Sequence, residues 1–343
     1  MVSQDLSSQI NFKAVIIIGP TASGKSALAH QIYDYFKEKH VKFAIVNLDA
    51  FQIYKHVTAG TAKPSFAEQN KYNYYCIDLL PPDAAMDANL YAKLIHTQCQ
   101  ELYNKGVIPL CVGGSGLYLR AFLHGLDSLP GRDEAIRTKI RQMAASYGWP
   151  HCHSELAKVD PIRASELHPN DKTRIERALE LYYLLGKPMS SLRSKTSNLG
   201  EQSTLFPSFL IHLEPNESAL KEKIKTRVPL LFAQNWISEV TNLLDNYGEQ
   251  LLNFNSMKAI GYQEIINFIL EEKKCNEKLD SLSAPPELLE RISTLTWQYA
   301  KRQLTWNAKE KKDVIVTLNS KNEFENINLL IQQWLKENKL LKR

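Results

Sequence analysis

No stretch of this sequence approaches the roughly 20 apolar residues that a membrane-spanning helix requires, so no membrane partner is expected. Its opening, MVSQDLSSQINFK, lacks a basic segment followed by an apolar one, the form of a secretory leader, and the expected compartment is the cytoplasm. Cysteine is scarce. The five present, Cys76, Cys99, Cys111, Cys152 and Cys275, are scattered and odd in number, which excludes a disulfide framework of the secreted kind. The triplet HCH at 151–153 has no second Cys/His pair at zinc-finger spacing, so it reads as an ordinary helix-proximal segment. Internal repeats and low-complexity tracts are also missing.

What is present suits a folded enzyme. Apolar residues make up 44% of the 343, enough for a large core, and charged residues 23%. The net charge of +5 permits a polyanionic partner without demanding one. Its excess lies late in the chain, in KEKIKTR (221–227), AKRQ (300–303), KEKK (309–312) and KENKLLKR (336–343). Lysine runs on helices are more often solvated faces, so any one of these alone is weak evidence for such a partner.

One motif is specific. Residues 19–26, GPTASGKS, follow the apolar run KAVIIIG and precede SALAHQIYDYF, giving strand, phosphate-binding loop and helix. Gly19, Pro20, Thr21, Ala22, Ser23 and Gly24 turn backbone N–H groups onto anionic oxygens at a helix N-terminus. Lys25 neutralises phosphate, and the Ser26 hydroxyl is placed to ligate Mg2+. KFAIVNLD completes a β-α-β unit, and GVIPLCVGG, FPSFLIHLEP and DVIVTL read as further strands. From about 128 to 200 only helix signals occur, among them RDEAIRTKIRQMAASYG stopped by Gly148 and KTRIERALELYYLLG stopped by Gly186. The expected fold is α/β, a P-loop NTPase-like parallel sheet core (1–127 and 201–343) with an inserted all-helical domain (128–200) and a helical C-terminal region. The last helix, NINLLIQQWLKENKLLKR, is expected to pack with a basic outer face.

A nucleotide hydrolase or kinase also needs a carboxylate at a strand end to hold its metal. Asp49, closing AIVNLD, qualifies; an N-cap or loop hydrogen bond is its ordinary alternative role. The strand VIPLCV ends instead in GGSG, without an acid. GGSGLY suits a second turn approaching phosphate, where Ser115 offers a hydroxyl to a leaving oxygen, although a glycine turn packing helix on sheet would look the same.

GPTASGKS, LDAFQIYK, GTAKP, VGGSGLYL, HPND, RALE, GKPMS, AIGYQE and AKRQLTW occur in this order over residues 19–306. On these motifs the chain resembles the tRNA dimethylallyltransferases, also called tRNA isopentenyltransferases, over nearly its whole length. The resemblance implies that the loop holds dimethylallyl diphosphate. It also implies transfer of the prenyl group to the exocyclic amine of the position-37 adenosine, in the anticodon stem-loop of tRNAs reading codons that begin with U. The products are isopentenyladenosine and diphosphate.

It further implies roles for single residues. Asp49 would take the proton of the amine, with Ser115 and Arg227 helping to spread charge on the leaving diphosphate. Contacts to tRNA would come from Asp49, Ala50, Phe51, Gln52 and Ser115, from Arg137, and from Thr173, Arg174, Ile175, Glu176 and Arg177. Lys258, Ala259, Ile260, Gly261, Tyr262 and Gln263 form a further set. The last comprises Lys301, Arg302, Gln303, Leu304, Thr305, Trp306, Asn307 and Ala308. The chain departs from the family where Ala50 replaces a usual Ser, Ser115 a usual Thr, Trp297 a common Arg, and Asn307-Ala308 a common aromatic–Arg pair.

A monomer is expected. The competing reading is a P-loop small-molecule or nucleoside kinase, which explains residues 19–49 equally well but gives no reason for AKRQLTW. A non-catalytic RNA-binding module would explain the basic C-terminal third and not the phosphate loop.

Overall fold

The run AVIII has no alternation to expose one face to water, and it forms β1 (Ala14–Ile18), buried at every residue. β2 (Phe43–Leu48) and β4 (Ile108–Gly113) are buried throughout in the same way. Such continuous burial belongs to parallel strands covered on both faces. The computed structural model describes residues 10–126, 129–192, 204–275, 284–318 and 321–341. Among them six strands form one parallel sheet in the order β3-β2-β4-β1-β5-β6, with β3 (Tyr74–Tyr75), β5 (Ser208–Leu213) and β6 (Val314–Val316) completing it.

β1 divides two cores. Val15 and Ile17 face α1 (Lys25–Glu38) through Leu28, Ile32 and Phe36, and α14 (Lys321–Glu337) through Ile327, Ile331 and Leu335. Ile16 and Ile18 face the opposite layer. There lie α3 (Ala88–Asn104), α4 (Gly116–His124), α10 (Glu217–Phe232), α11 (Trp236–Tyr247), α12 (Tyr262–Cys275) and α13 (Pro286–Asn307). The short α2 (Phe66–Lys71) begins with a capping box between Ser65 and Glu68. No helix among the described residues is long and apolar enough to cross a membrane.

The chain divides into two compact units, Met1–Gly125 with Thr204–Arg343, and Leu126–Ser203. The boundaries expected at 127/128 and 200/201 fall outside the described residues, as do the N-terminal Met1–Gln9 and the C-terminal Lys342 and Arg343. The second unit is helical: α5 (Glu134–Tyr147), α6 (Trp149–Val159), α7 (Pro161–Ser165), α8 (Lys172–Leu185) and α9 (Met189–Leu192). Ile140, Cys152, Leu156, Ile175 and Leu179 pack its centre. The HCH triplet lies within α6, where Cys152 is buried and the His153 ring nitrogen sits 2.9 Å from the Ala164 carbonyl and 3.1 Å from that of Leu167.

The carboxyl ends of β1 and β4 lie side by side, with Ile18 in register with Gly113. At this edge the strand order reverses, and open α/β sheets bind ligands there. A side chain at Gly114 would meet the Gly19 carbonyl at 2.2 Å, so glycine is what lets β4 leave the sheet against the phosphate loop.

Candidate active site

Gly24 takes φ +98° at the start of α1, and no side chain caps that helix. Its first N–H groups are therefore turned to the cleft, where an anion would satisfy them. Lys25 folds back over the loop, its Nζ donating to the Pro20 carbonyl at 2.7 Å. Burial lowers its pKa to about 8, opposed by the charge of Asp49 and reinforced by that of Arg227. Arg227, from the middle of α10, reaches Thr21 Oγ1 with Nη1 at 3.5 Å. Burial lowers its pKa too, again against the pull of Asp49.

Asp49 is held by its neighbours. Its N–H donates to Asn47 Oδ1 at 3.0 Å, while Asn47 Nδ2 donates to the Asp49 and Cys76 carbonyls at 3.0 and 3.1 Å. The Phe51 N–H donates to Asp49 Oδ1 at 2.9 Å. Burial raises the carboxyl pKa, and the Phe51 N–H, Lys25, the Gln52 N–H and Arg227 hold the rise in check. The result is a fixed carboxylate, more basic than usual, facing two cations.

The other wall comes from α13. Gln303, buried, accepts the Thr21 N–H on Oε1 at 2.7 Å and donates from Nε2 to the Gly114 carbonyl at 3.0 Å. One turn earlier the Tyr299 hydroxyl lies 3.4 Å from Ser115 Oγ. Gln303 and Tyr299 line a cavity of about 650 Å3 together with Gly113 and Gly114, and Ser115 lies directly behind that turn. Phosphate loop, Lys25, Asp49 and Arg227 make its polar end; Ile224, Val228 and Leu231 of α10, with Ile260 and Ile292, make an apolar wall. The cavity thus offers cations to an anion and a greasy surface to whatever the anion carries.

The residues expected to meet RNA separate by exposure. Thr173, Arg174, Lys258, Lys301, Arg302, Thr305 and Ala308 are exposed; Phe51, Gln52, Ile260, Gln263, Leu304 and Trp306 are half-buried. Ala50, Ala259, Gly261, Tyr262, Gln303 and Asn307 are buried. Gln52 Nε2 donates to the Thr61 carbonyl at 3.0 Å, and Lys258 Nζ to Asn255 Oδ1 at 2.7 Å. The Tyr262 hydroxyl donates to Glu239 Oε1 at 2.6 Å; Glu239 also accepts the Thr58 and Ala59 N–H groups and so clamps the loop that carries GTAKP. Trp306 packs on Gly116, where a side chain would meet its ring at 2.8 Å.

In the helical unit Arg137 is not at the surface. Its Nε and Nη2 donate to Glu180 at 2.9 and 3.1 Å, and Nη1 lies 3.3 Å from Glu176. Ile175 is in the core there, and Arg177 pairs with Glu180 at 2.7 Å. Arg137 and Glu176, expected as RNA contacts, are therefore the ion pair that joins α5 to α8, because two buried glutamates need a buried cation.

Several cavity residues carry no motif of their own. Lys223 stands one turn before Arg227 on α10, a spacing that would have suggested it. Tyr299 stands four residues before Gln303, on the same helix face. Asn47 gave no signal, being a polar residue inside an apolar strand. Lys63 of GTAKP is not at the cavity: its ammonium is buried against the Tyr54 carbonyl, at 2.7 Å, and Asp78.

A parallel sheet with a phosphate loop, two cations and a fixed carboxylate around an apolar-walled cavity defines a group-transfer enzyme of the phosphate-loop class. The comparisons with known proteins narrow this. A family model described as IPP transferase matches residues 52–310. The tRNA dimethylallyltransferase of Leptothrix cholodnii is 38% identical over 292 residues, covering 84% of this chain and 85% of that protein. That of Chromobacterium violaceum is 36% identical, over 86% and 85%. Among solved structures, the full-length tRNA isopentenylpyrophosphate transferase of Bacillus halodurans is 27% identical with TM-score 0.64, covering 96% of this chain and 98% of that one. A eukaryotic dimethylallyltransferase acting on tRNA, 22% identical, shares the fold with TM-score 0.72 over 96% of this chain and 80% of its own. The chain belongs to the tRNA dimethylallyltransferase family, and the kinase reading is set aside.

Proposed function

We infer that this chain is a tRNA-modifying prenyltransferase. It transfers the dimethylallyl group of dimethylallyl diphosphate to the exocyclic amine of adenosine 37 in tRNAs reading codons that begin with U, acting as a cytoplasmic monomer. One observation carries the reading: Lys25, Arg227 and Asp49 converge on a single cavity that Ile224, Val228, Leu231, Ile260 and Ile292 also line. The diphosphate lies on the phosphate loop between the two cations, and the five-carbon chain lies along Ile224, Val228 and Leu231.

The adenine amine is a poor nucleophile, because its lone pair is shared with the ring. Asp49 orients it and accepts its proton as nitrogen bonds to C1 of the prenyl group; burial has already made that carboxylate a better base. The C1–O bond breaks with its electron pair passing to the diphosphate oxygen. Lys25, Arg227, loop amides and the Ser115 hydroxyl stabilise the charge that gathers there. The target base must leave its stack to reach Asp49, and an unpaired anticodon-loop base can do so at low cost.

The residues fit magnesium. The Ser26 hydroxyl is carried by the first turn of α1, and the residue lines the cavity. A hard cation that keeps several waters and binds phosphate oxygens needs few protein ligands. Bound magnesium would neutralise part of the diphosphate charge, with Ser26 as its protein ligand. In the helical unit, Thr173 and Arg174 are the exposed members of their motif and form the proposed tRNA contact.

The test is nucleoside mass spectrometry of tRNA incubated with the protein, dimethylallyl diphosphate and magnesium. Isopentenyladenosine next to the anticodon is the expected product. Its absence, or a phosphorylated product when ATP replaces the prenyl donor, overturns the reading.

A further inference from the structure

We propose that Tyr299 is a positioning residue that orients the Ser115 hydroxyl toward the leaving diphosphate; this rests on the proposed prenyl transfer. Ser115 occupies the N-cap position of α4, where a serine ordinarily accepts an N–H of the first turn. Here its side chain makes no cap hydrogen bond. The residue is nonetheless buried, with 6% exposure, and the partner of its hydroxyl is Tyr299, whose OH lies 3.4 Å away.

Serine has no branch at Cβ, so its hydroxyl can occupy any of three staggered positions. Something must select one of them. Tyr299 is well placed, because Gln303 one turn later ties α13 to both the Thr21 N–H and the Gly114 carbonyl. The phenol is thereby registered against the phosphate loop and against the turn that carries Ser115. Arg302, its guanidinium 5.9 Å from the Tyr299 ring centre, adds a contact on the ring face.

Burial and the facing charge of Asp49 raise the Tyr299 pKa, so the phenol keeps its proton at working pH. A phenol that keeps its proton can give its O–H to Ser115 Oγ, the orientation this proposal requires, and that leaves the serine proton for the departing oxygen. Chained hydroxyls of this kind polarise one another. The 3.4 Å separation is long for two hydroxyls, so the contact is a weak one that a small movement of either side chain would shorten.

The experiment is Tyr299→Phe, which keeps the ring and its packing, made in the wild-type and in the Ser115→Thr background. Prenyl transfer is measured with saturating dimethylallyl diphosphate. In the wild-type background turnover should fall about tenfold, with KM for the diphosphate within about twofold, and by a constant factor from about pH 6 to 9. Threonine fixes its own hydroxyl by its branch, so on Ser115→Thr the same change should cost no more than about twofold. An unaltered rate in Tyr299→Phe overturns the proposal. So does an equal loss in both backgrounds, which would mean that Tyr299 acts without Ser115. A pH-dependent loss would make the phenol a titrating group and also refute it. Wild-type protein that transfers no prenyl group refutes the functional reading itself, a distinct result.

Discussion

Gln303 and Thr21 stand 282 residues apart, and the carboxamide of the first accepts the N–H of the second at 2.7 Å. With its bond to the Gly114 carbonyl, Gln303 closes the back of the phosphate loop. Gln303→Ala should therefore weaken dimethylallyl diphosphate binding by calorimetry and leave tRNA affinity nearly unchanged. Two backbone groups lose their partner, at about 1–3 kcal/mol for each that stays dry, so unfolding should also move to lower temperature. Loss of tRNA binding with diphosphate binding intact would return Gln303 to an RNA-contact role.

Asp49 has two conceivable jobs, and Asp49→Asn separates them. Asparagine keeps the Oδ1 that accepts the Phe51 N–H, so the loop stays in place. As a base toward the amine, the carboxylate matters in the transition state, and turnover should drop by about 10²–10⁴-fold. Affinity for the diphosphate with magnesium should hardly change. Diphosphate binding that weakens as much as turnover slows would make Asp49 a metal-holding residue instead.

Much of the core was legible because buried parallel strands are continuous apolar runs: AVIII, FAIVNL, IPLCVG and SFLIHL all form strands. β3 was not, since Tyr74 and Tyr75 are half-buried and become a strand only by pairing with Ile45 and Val46. The phosphate loop is local and could be read directly. Asn47 could not, because its task of joining Asp49 to the Cys76 carbonyl exists only after β3 has docked. Basic residues posed the opposite difficulty. A sequence displays the positive charge of Arg137 but not the pair it meets, although Glu176 and Glu180, four apart beside the core residues Ile175 and Leu179, hinted at an inward acidic face.

Arg137 and Arg174 should consequently behave in opposite ways. Arg137→Leu leaves Glu176 and Glu180 in the interior with weakened compensation, and removing one partner of a buried pair typically costs about 3–5 kcal/mol. Hydrogen exchange should show α5 and α8 opening together, since these are the helices the pair joins. Arg174 is exposed and pairs only with Asp171, at 2.6 Å, among the contacts described. Arg174→Glu should leave unfolding nearly unchanged, weaken tRNA binding and reduce the salt dependence of binding by about one phosphate contact. Unchanged tRNA affinity after that reversal would remove α8 from the RNA surface.

Lys25 makes diphosphate binding depend on pH in a direction that can be worked out. In the free site burial holds its pKa at about 8, so the cation is intact below that value and lost above it. Binding an anion favours the charged form, which raises the pKa in the complex. Affinity for the diphosphate should thus be highest below about pH 8 and fall as pH rises through it, toward tenfold per unit. kcat/KM, which reports the free enzyme, should break near the same value, while kcat should hold to higher pH. Lys25→Met should bind weakly at every pH and lack the break; Lys25→Arg, always charged, should also lack it. Calorimetric titrations across about pH 6.5 to 9.5 decide the matter. Affinity that stays flat through this range in the wild type would mean that Lys25 is fully charged in the free site and that its burial carries no functional consequence.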